Sequence, residues 1–120
     1  MQEYLLSLSK ELEGDLEWDD LHKKLYATDA SVYKILPLAV AYPKNSKDIK
    51  LLIQFAKNQK TSLIPRTAGT SLAGQCVGEG IVVDVSKYFT KIIELNLQDR
   101  TVRVQPGVNR DALNAYLEPY

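Results

Sequence analysis

Apolar and polar residues follow one another along this chain in two rhythms, one of helices and one of short strands. Over residues 2–13, Tyr4, Leu5, Leu8 and Leu12 recur near helical spacing while Lys10, Glu11 and Glu13 are left for solvent, which predicts an amphipathic helix ended by Gly14. A shorter helix is predicted from Asp20 to Ala27, with Leu21, Lys24 and Leu25 on one face, and Asp29-Ala30-Ser31 reads as a turn. Leu38-Ala39-Val40-Ala41-Tyr42 is expected to be a buried strand, because Pro37 and Pro43 lie outside it, where their missing N–H does no harm. Asn45 or Ser46 caps the next helix, and Asp48 in its first turn faces the positive end of the helix dipole. Ile49, Leu52, Ile53 and Ala56 fall at i, i+3, i+4 and i+7, a stripe that must pack on something before the helix ends near Asn58.

Thr61-Ser62-Leu63-Ile64-Pro65 and Gly80-Ile81-Val82-Val83-Asp84-Val85 read as two further strands on either side of a Gly-, Thr- and Ser-rich loop. A strand–helix–strand unit of this length favours a parallel pair with a right-handed connection. Ile92–Asn96 and Thr101–Gln105 flank Gln98-Asp99-Arg100 as a β-hairpin, and Asn109 caps a last helix with Leu113, Tyr116 and Leu117 on one face. The predicted fold class is α+β: a small, mostly parallel sheet flanked by helices, plus a β-hairpin. The apolar stripe of the last helix calls for later chain to cover it, so the end is read as a cut inside a larger protein.

Composition narrows the chemistry. Lys plus Arg and Asp plus Glu number 15 each, with no basic stripe for a phosphate backbone, so no nucleic acid partner is expected. No apolar run approaches the ~20 residues that span a bilayer, and the first residues lack the basic and apolar regions of a signal peptide; the expectation is no transmembrane segment and a cytoplasmic location. Cys76 is the only cysteine and His22 the only histidine, which leaves almost no material for a metal centre or a Cys–His or Ser–His nucleophile. Any chemistry must come from a cofactor or from residues outside this segment.

The informative stretch is Pro65-Arg66-Thr67-Ala68-Gly69-Thr70-Ser71-Leu72-Ala73-Gly74-Gln75. Small residues let a backbone approach a ligand closely, and Gly69 and Gly74 can take positive φ, so that successive N–H groups converge into a nest for an anion. Thr67, Thr70 and Ser71 add hydroxyl donors and Arg66 adds charge, a set that would hold a diphosphate without a metal. The first Walker A spacing is present from Gly69 to Gly74, but Gln75-Cys76 stands where Lys-Ser or Lys-Thr is required. Gly78-Glu79-Gly80 leads into a strand instead of opening a helix and lacks a third glycine, so a Rossmann fingerprint fails as well. A plain connector between strands has the same composition, and composition alone does not choose between connector and cradle.

This loop, followed by Gly80-Ile81-Val82-Val83-Asp84-Val85-Ser86-Lys87 and then Val104-Gln105-Pro106-Gly107-Val108, with Tyr42-Pro43 before the main helix, resembles the FAD-linked oxidases of the vanillyl-alcohol oxidase and p-cresol methylhydroxylase type, especially the glycolate oxidase and D-lactate dehydrogenase branch. The resemblance covers about residues 26–120, with the motifs in order and register. It implies that the backbone from Arg66 to Ser71 wraps the pyrophosphate of FAD, that Gly74 and Gln75 border the cofactor further along, and that Pro65 and Gly107 shape the flanking turns. Residues 1–28, with their two predicted helices, are read as an N-terminal helical arm, and the resemblance implies 29–120 as the first lobe of a two-lobed FAD-binding domain, truncated at its C-terminal end. The partners implied are a small-molecule 2-hydroxy acid substrate and the second lobe and cap domain beyond Tyr120. The departure is Thr67-Ala68, where many members carry two glycines, which puts the detailed loop geometry in question. Some relatives bond a loop histidine to the flavin; Thr70 stands there in this chain, so the resemblance implies non-covalent FAD.

The remaining residues have plainer readings. Cys76 is read as a small buried hydrophobe, His22 as a solvated surface residue, Trp18 as a packing anchor, and Asp84 as a cap for the turn after its strand. No catalytic acid or base can be named. The competing reading of the whole is a non-catalytic nucleotide-binding or protein-interaction module that keeps the fold.

Overall fold

The computed structural model describes residues 1–120 and orders them as α1 (Gln2–Glu11), β1 (Asp15–Glu17), α2 (Asp20–Leu25), β2 (Ala39–Tyr42), α3 (Ser46–Gln59), β3 (Leu63–Arg66), β4 (Ile81–Asp84), β5 (Ile92–Asn96), β6 (Thr101–Val104) and α4 (Arg110–Leu117). The main sheet runs β1-β2-β4-β3, with β2, β4 and β3 parallel and β1 antiparallel on the outer edge of β2. The parallel arrangement holds, but β2 and β3 do not pair: β4 lies between them. Every residue of β4 is buried, which places the most apolar strand in the centre. Pro65 has no N–H to give a second neighbour, so β3 belongs on the edge.

One face of the sheet carries Ala39, Ala41, Ile81 and Val83, and these pack with Leu52 of α3 and with Leu5, Leu8, Leu12 and Leu16 from the N-terminal segment. Alternation sends Val40 and Val82 to the other face, where they are also fully buried. Trp18 packs at the margin of the core, as its sequence neighbourhood predicts. Ile53 departs from the predicted stripe and is 54% exposed, because the buried side of α3 is centred on Asp48, Leu52 and Ala56.

Asp48 is fully buried. Its carboxylate accepts the backbone N–H of Glu13 at 3.0 Å and of Gly14 and Lys44 at 2.9 Å, while Asn45 Oδ1 caps α3 by accepting from Asp48 N. Burial pulls the Asp48 carboxyl upward, but these N–H donors together outweigh it and leave the group below its ordinary range. This bonding explains why α1 stops at Glu11 rather than reaching residue 13: Leu12 turns extended, and Glu13 and Gly14 aim their amides at Asp48. The three-residue β1, which the sequence pattern did not indicate, follows directly.

Leu21 and Leu25 of α2 are exposed rather than packed. That helix is held by its Asp19 cap, whose Oδ1 accepts from Leu21 N and His22 N, and by edge-on contacts of His22 and Tyr26 with the Tyr42 ring. The β5–β6 hairpin and α4 project from the main sheet, and α4 buries none of its residues. The radius of gyration is accordingly 16.1 Å, against about 14 Å for a compact chain of this length. No helix is long and apolar enough to cross a membrane.

Candidate functional site

Because β2, β3 and β4 are parallel, the segments after them emerge at one edge of the sheet, the side where ligands gather in open α/β folds. Pro65, exposed and in register with Val83, and Arg66, in register with Asp84, end β3 there. The Arg66 carbonyl takes the last ladder bond from Val85 N at 3.0 Å, and the loop then leaves the sheet. From Thr67 to Leu72 no backbone N–H donates to any acceptor of the protein, and the hydroxyls of Thr67 and Thr70 make no hydrogen bond within it. Gly69 stands at φ +68°, where a Cβ would lie 2.4 Å from Nη2 of Arg66. Positive φ in this loop is confined to Gly69 and Gly74, so Ala68 occupies ordinary backbone and the departure from a double glycine costs no strain. Consecutive free N–H groups, two free hydroxyls, small side chains and one guanidinium are donors of the kind an oxyanion site needs, and their chemistry is compatible with a diphosphate.

Ser71 departs from expectation. Its hydroxyl donates to Gln75 Oε1 at 2.8 Å and accepts from Gln75 N at 3.1 Å and Ala73 N at 3.3 Å, so it closes the 71–75 turn and is not a spare donor. Gly74, at φ +73°, lies against Tyr33, whose Cδ2 would be 2.6 Å from a Cβ there. Gly107 N donates to the Phe89 carbonyl at 2.7 Å, and a Cβ on Gly107 would come within 2.5 Å of that oxygen and 2.6 Å of the Val85 oxygen. Gly107 thus lets the chain after β6 press onto the turn after β4.

The segment from Tyr26 to Tyr33 clamps the loop from outside. Ala30 N donates to the Gly69 carbonyl at 3.0 Å, and Asp29 Oδ2 accepts from Cys76 N at 3.4 Å. Hydrogen bonding from Ser31, helped by Cys76 N–H and the Arg66 charge, holds the Asp29 carboxyl below its usual range. The Arg66 guanidinium lies 5.0 Å over the Tyr26 ring and donates through Nη1 to the carbonyls of Thr28 at 2.7 Å and Cys76 at 3.4 Å. Sequence reasoning did not single out Tyr26 or Asp29 and could not place Tyr33, because their contacts with the loop bridge some 40 residues of chain and leave no local pattern.

Asp84 caps the turn after β4 as expected, its Oδ1 accepting from Ser86 N at 2.8 Å and Ser86 Oγ at 2.6 Å. Its Oδ2 accepts from the Tyr26 hydroxyl at 2.5 Å. Cys76 is half-buried rather than buried, and its backbone N–H and carbonyl are the groups that meet Asp29 and Arg66. His22 is also half-buried and pairs with Asp19 at 2.6 Å, a contact local to the α2 cap, with Glu17 nearby.

A family model described as an FAD binding domain matches residues 37–120. A D-2-hydroxyglutarate dehydrogenase of Haemophilus influenzae is 38% identical over the whole of this chain, which covers 12% of that protein. A mitochondrial cytochrome-type D-lactate dehydrogenase of Kluyveromyces lactis is 40% identical over 70% of this chain and 15% of its own length. Among solved structures, an alkyldihydroxyacetonephosphate synthase superposes with a TM-score of 0.84 over 99% of this chain and 25% of that one at 18% identity, and p-cresol methylhydroxylase with 0.78 over 98% and 24% at 13%. These likenesses reproduce the α+β fold, and the chain spans only about an eighth of the first curated relative. With the family match spanning the parallel strands, the donor-rich loop and the hairpin, this chain belongs to the FAD binding domain family.

Proposed function

We propose that this chain is the first lobe of the FAD-binding domain of a flavin-dependent dehydrogenase that oxidises a small D-2-hydroxy acid. The supporting observation is the run of N–H groups from Thr67 to Leu72 that find no acceptor within the protein, set at the carboxyl edge of a parallel sheet. In this reading those amides and the Thr67 and Thr70 hydroxyls bond the pyrophosphate, while Arg66 offsets part of its charge. Pro65 ends the strand so that the loop turns outward, Ala68 and Gly69 leave room for phosphate oxygens, Ser71 fixes the far turn, and Gly74 and Gln75 border the cofactor beyond it. Gly107 seats the hairpin exit against the turn after β4.

The cofactor, held non-covalently, supplies the electron acceptor for oxidation of the hydroxyl group. The chain's own residues bind and orient it, and none of them is assigned as a catalytic acid or base. Substrate contacts, the second lobe and a cap domain are assigned to further chain, which would also cover α4 and the outer hairpin strands. A cytoplasmic location belongs to the same reading.

Titrating FAD into the 120-residue chain should give weak binding or none by flavin fluorescence quenching, because one lobe holds half a site; submicromolar affinity would contradict the two-lobed assignment. In the intact protein Gly69→Val should abolish flavin retention, since Val disfavours φ +68° and its side chain would displace Arg66. A fully yellow variant would remove Gly69 from the site.

A further inference from the structure

We propose that Tyr26 and Asp84 are positioning residues for the cofactor loop, joining the turn after β4 to Arg66 and through Arg66 to Gly69; this rests on the FAD reading above. The contacts form one unbroken path. Ser86 N and Oγ hold Asp84 Oδ1, and Asp84 Oδ2, in a carboxylate only 6% exposed, accepts the Tyr26 hydroxyl. That hydroxyl fixes the rotation of a ring whose face supports the Arg66 guanidinium and whose neighbour is the Tyr42 ring at 6.0 Å. With one face on Tyr26, the guanidinium reaches Thr28 and Cys76 on either side of the loop and lies directly beside Gly69. Gly107 presses on Val85 and Ser86 at the other end of the path, so the hairpin exit and the loop are braced through the same pair.

The physical reason for such a brace lies in the loop itself. Amides that donate to nothing in the protein are not held by a ladder, so their aim must be set by side chains and carbonyls around them. Burial and the Asp84 carboxylate push the Tyr26 hydroxyl upward, which keeps it a protonated donor across the working range. Removing that one hydroxyl leaves the ring in place and releases its orientation.

Tyr26→Phe separates bracing from folding. Cys76 is the only thiol in the 120-residue chain, and both its N–H and its carbonyl belong to the clamp, so its reaction rate with Ellman's reagent reports whether the loop is docked. The expected result is a rate raised about tenfold, the order that loss of one hydrogen bond to a carboxylate implies, with a melting temperature lowered by no more than the ~4–8 °C that the same factor implies for a chain of this size. In deflavinated intact protein the same substitution should weaken FAD about tenfold by fluorescence quenching, and Tyr26→Phe combined with Asp84→Asn should add little to Asp84→Asn alone. An unchanged thiol rate overturns the brace, as does a binding loss accompanied by a fall in melting temperature beyond that range. A raised thiol rate with unchanged FAD affinity overturns its role toward the cofactor. If the parent and Gly69→Val handle flavin alike, it is the FAD reading that fails, and the thiol rate still decides whether Tyr26 holds the loop.

Discussion

Asp48→Ala should be the most damaging single change in the frame that carries the loop. The carboxylate satisfies the amides of Glu13, Gly14 and Lys44 at 2.9–3.0 Å, and no buried side-chain polar atom in the structure lacks a partner. Alanine would strand all those donors at the junction of α1, β1 and α3. An unmet buried donor costs about 1–3 kcal/mol; with water reaching some of this part-buried cluster, the total should be about 3–5 kcal/mol. That is a large fraction of the ~5–15 kcal/mol that holds a domain together. Asp48→Asn should recover only part of it, because the amide Nδ2 turns a hydrogen toward at least one of the N–H groups. Urea unfolding followed by far-ultraviolet circular dichroism measures this: with a slope of about 1.5 kcal/mol per molar, the Asp48→Ala midpoint should fall by about 2–3 M. Acid supplies the second arm. The folded carboxyl titrates below the ordinary aspartate value of 3.8, so its contribution is complete above that pH and is lost as pH falls through the lower folded value. The gap between parent and variant should therefore be full at pH 7 and shrink below pH 3.8. A difference under 1 kcal/mol at neutral pH, or a gap that widens in acid, would refute the reasoning.

Other consequences are as direct. Leu52→Ala should cost about 2–5 kcal/mol in the same assay, whereas Ile53→Gln, one position along the same helix, should stay within about 0.5 kcal/mol because Ile53 is exposed. Gly107→Ala should destabilise by about 1–3 kcal/mol in urea unfolding, since its Cβ would meet two backbone carbonyl oxygens that cannot swing aside. Asp15→Asn replaces the carboxylate that accepts from Lys87 at 2.8 Å and Tyr88 at 2.7 Å with a neutral amide, yet Lys87 and Asp15 are 50% and 40% exposed, so solvent screening should leave the urea midpoint nearly unmoved; a clear midpoint shift would show that the pair does more than decorate the surface.

Where the chain's own rhythm is strong, reading it was enough. The helix over Ser46–Gln59, the apolar strands β2 and β4, the hairpin and the last helix depend on neighbours a few residues apart, and the spacing of Leu52 and Ala56 or the caps at Asn45 and Asn109 announces them. The glycines of the loop from Pro65 to Gln75 were legible as turn formers for the same reason, and Gly69 and Gly74 do take positive φ, whereas its composition left connector and cradle equal.

Folding decided the rest, since it depended on contacts between distant segments. Asp15-Leu16-Glu17 has no strand rhythm of its own and pairs only because β2 presents an open edge with Asp48 holding the chain beside it. The central place of β4, the exposure of Ile53 and the commitment of Ser71 to a turn are outcomes of competition for space and partners that no single segment can settle. The same holds for the brace: Tyr26, Arg66 and Asp84 lie on three separate stretches and become one unit only once the parallel strands bring their ends to a common edge. Spacing along a chain encodes which surfaces are apolar and which backbones can turn, whereas the partner of a buried charge is chosen by the assembled core.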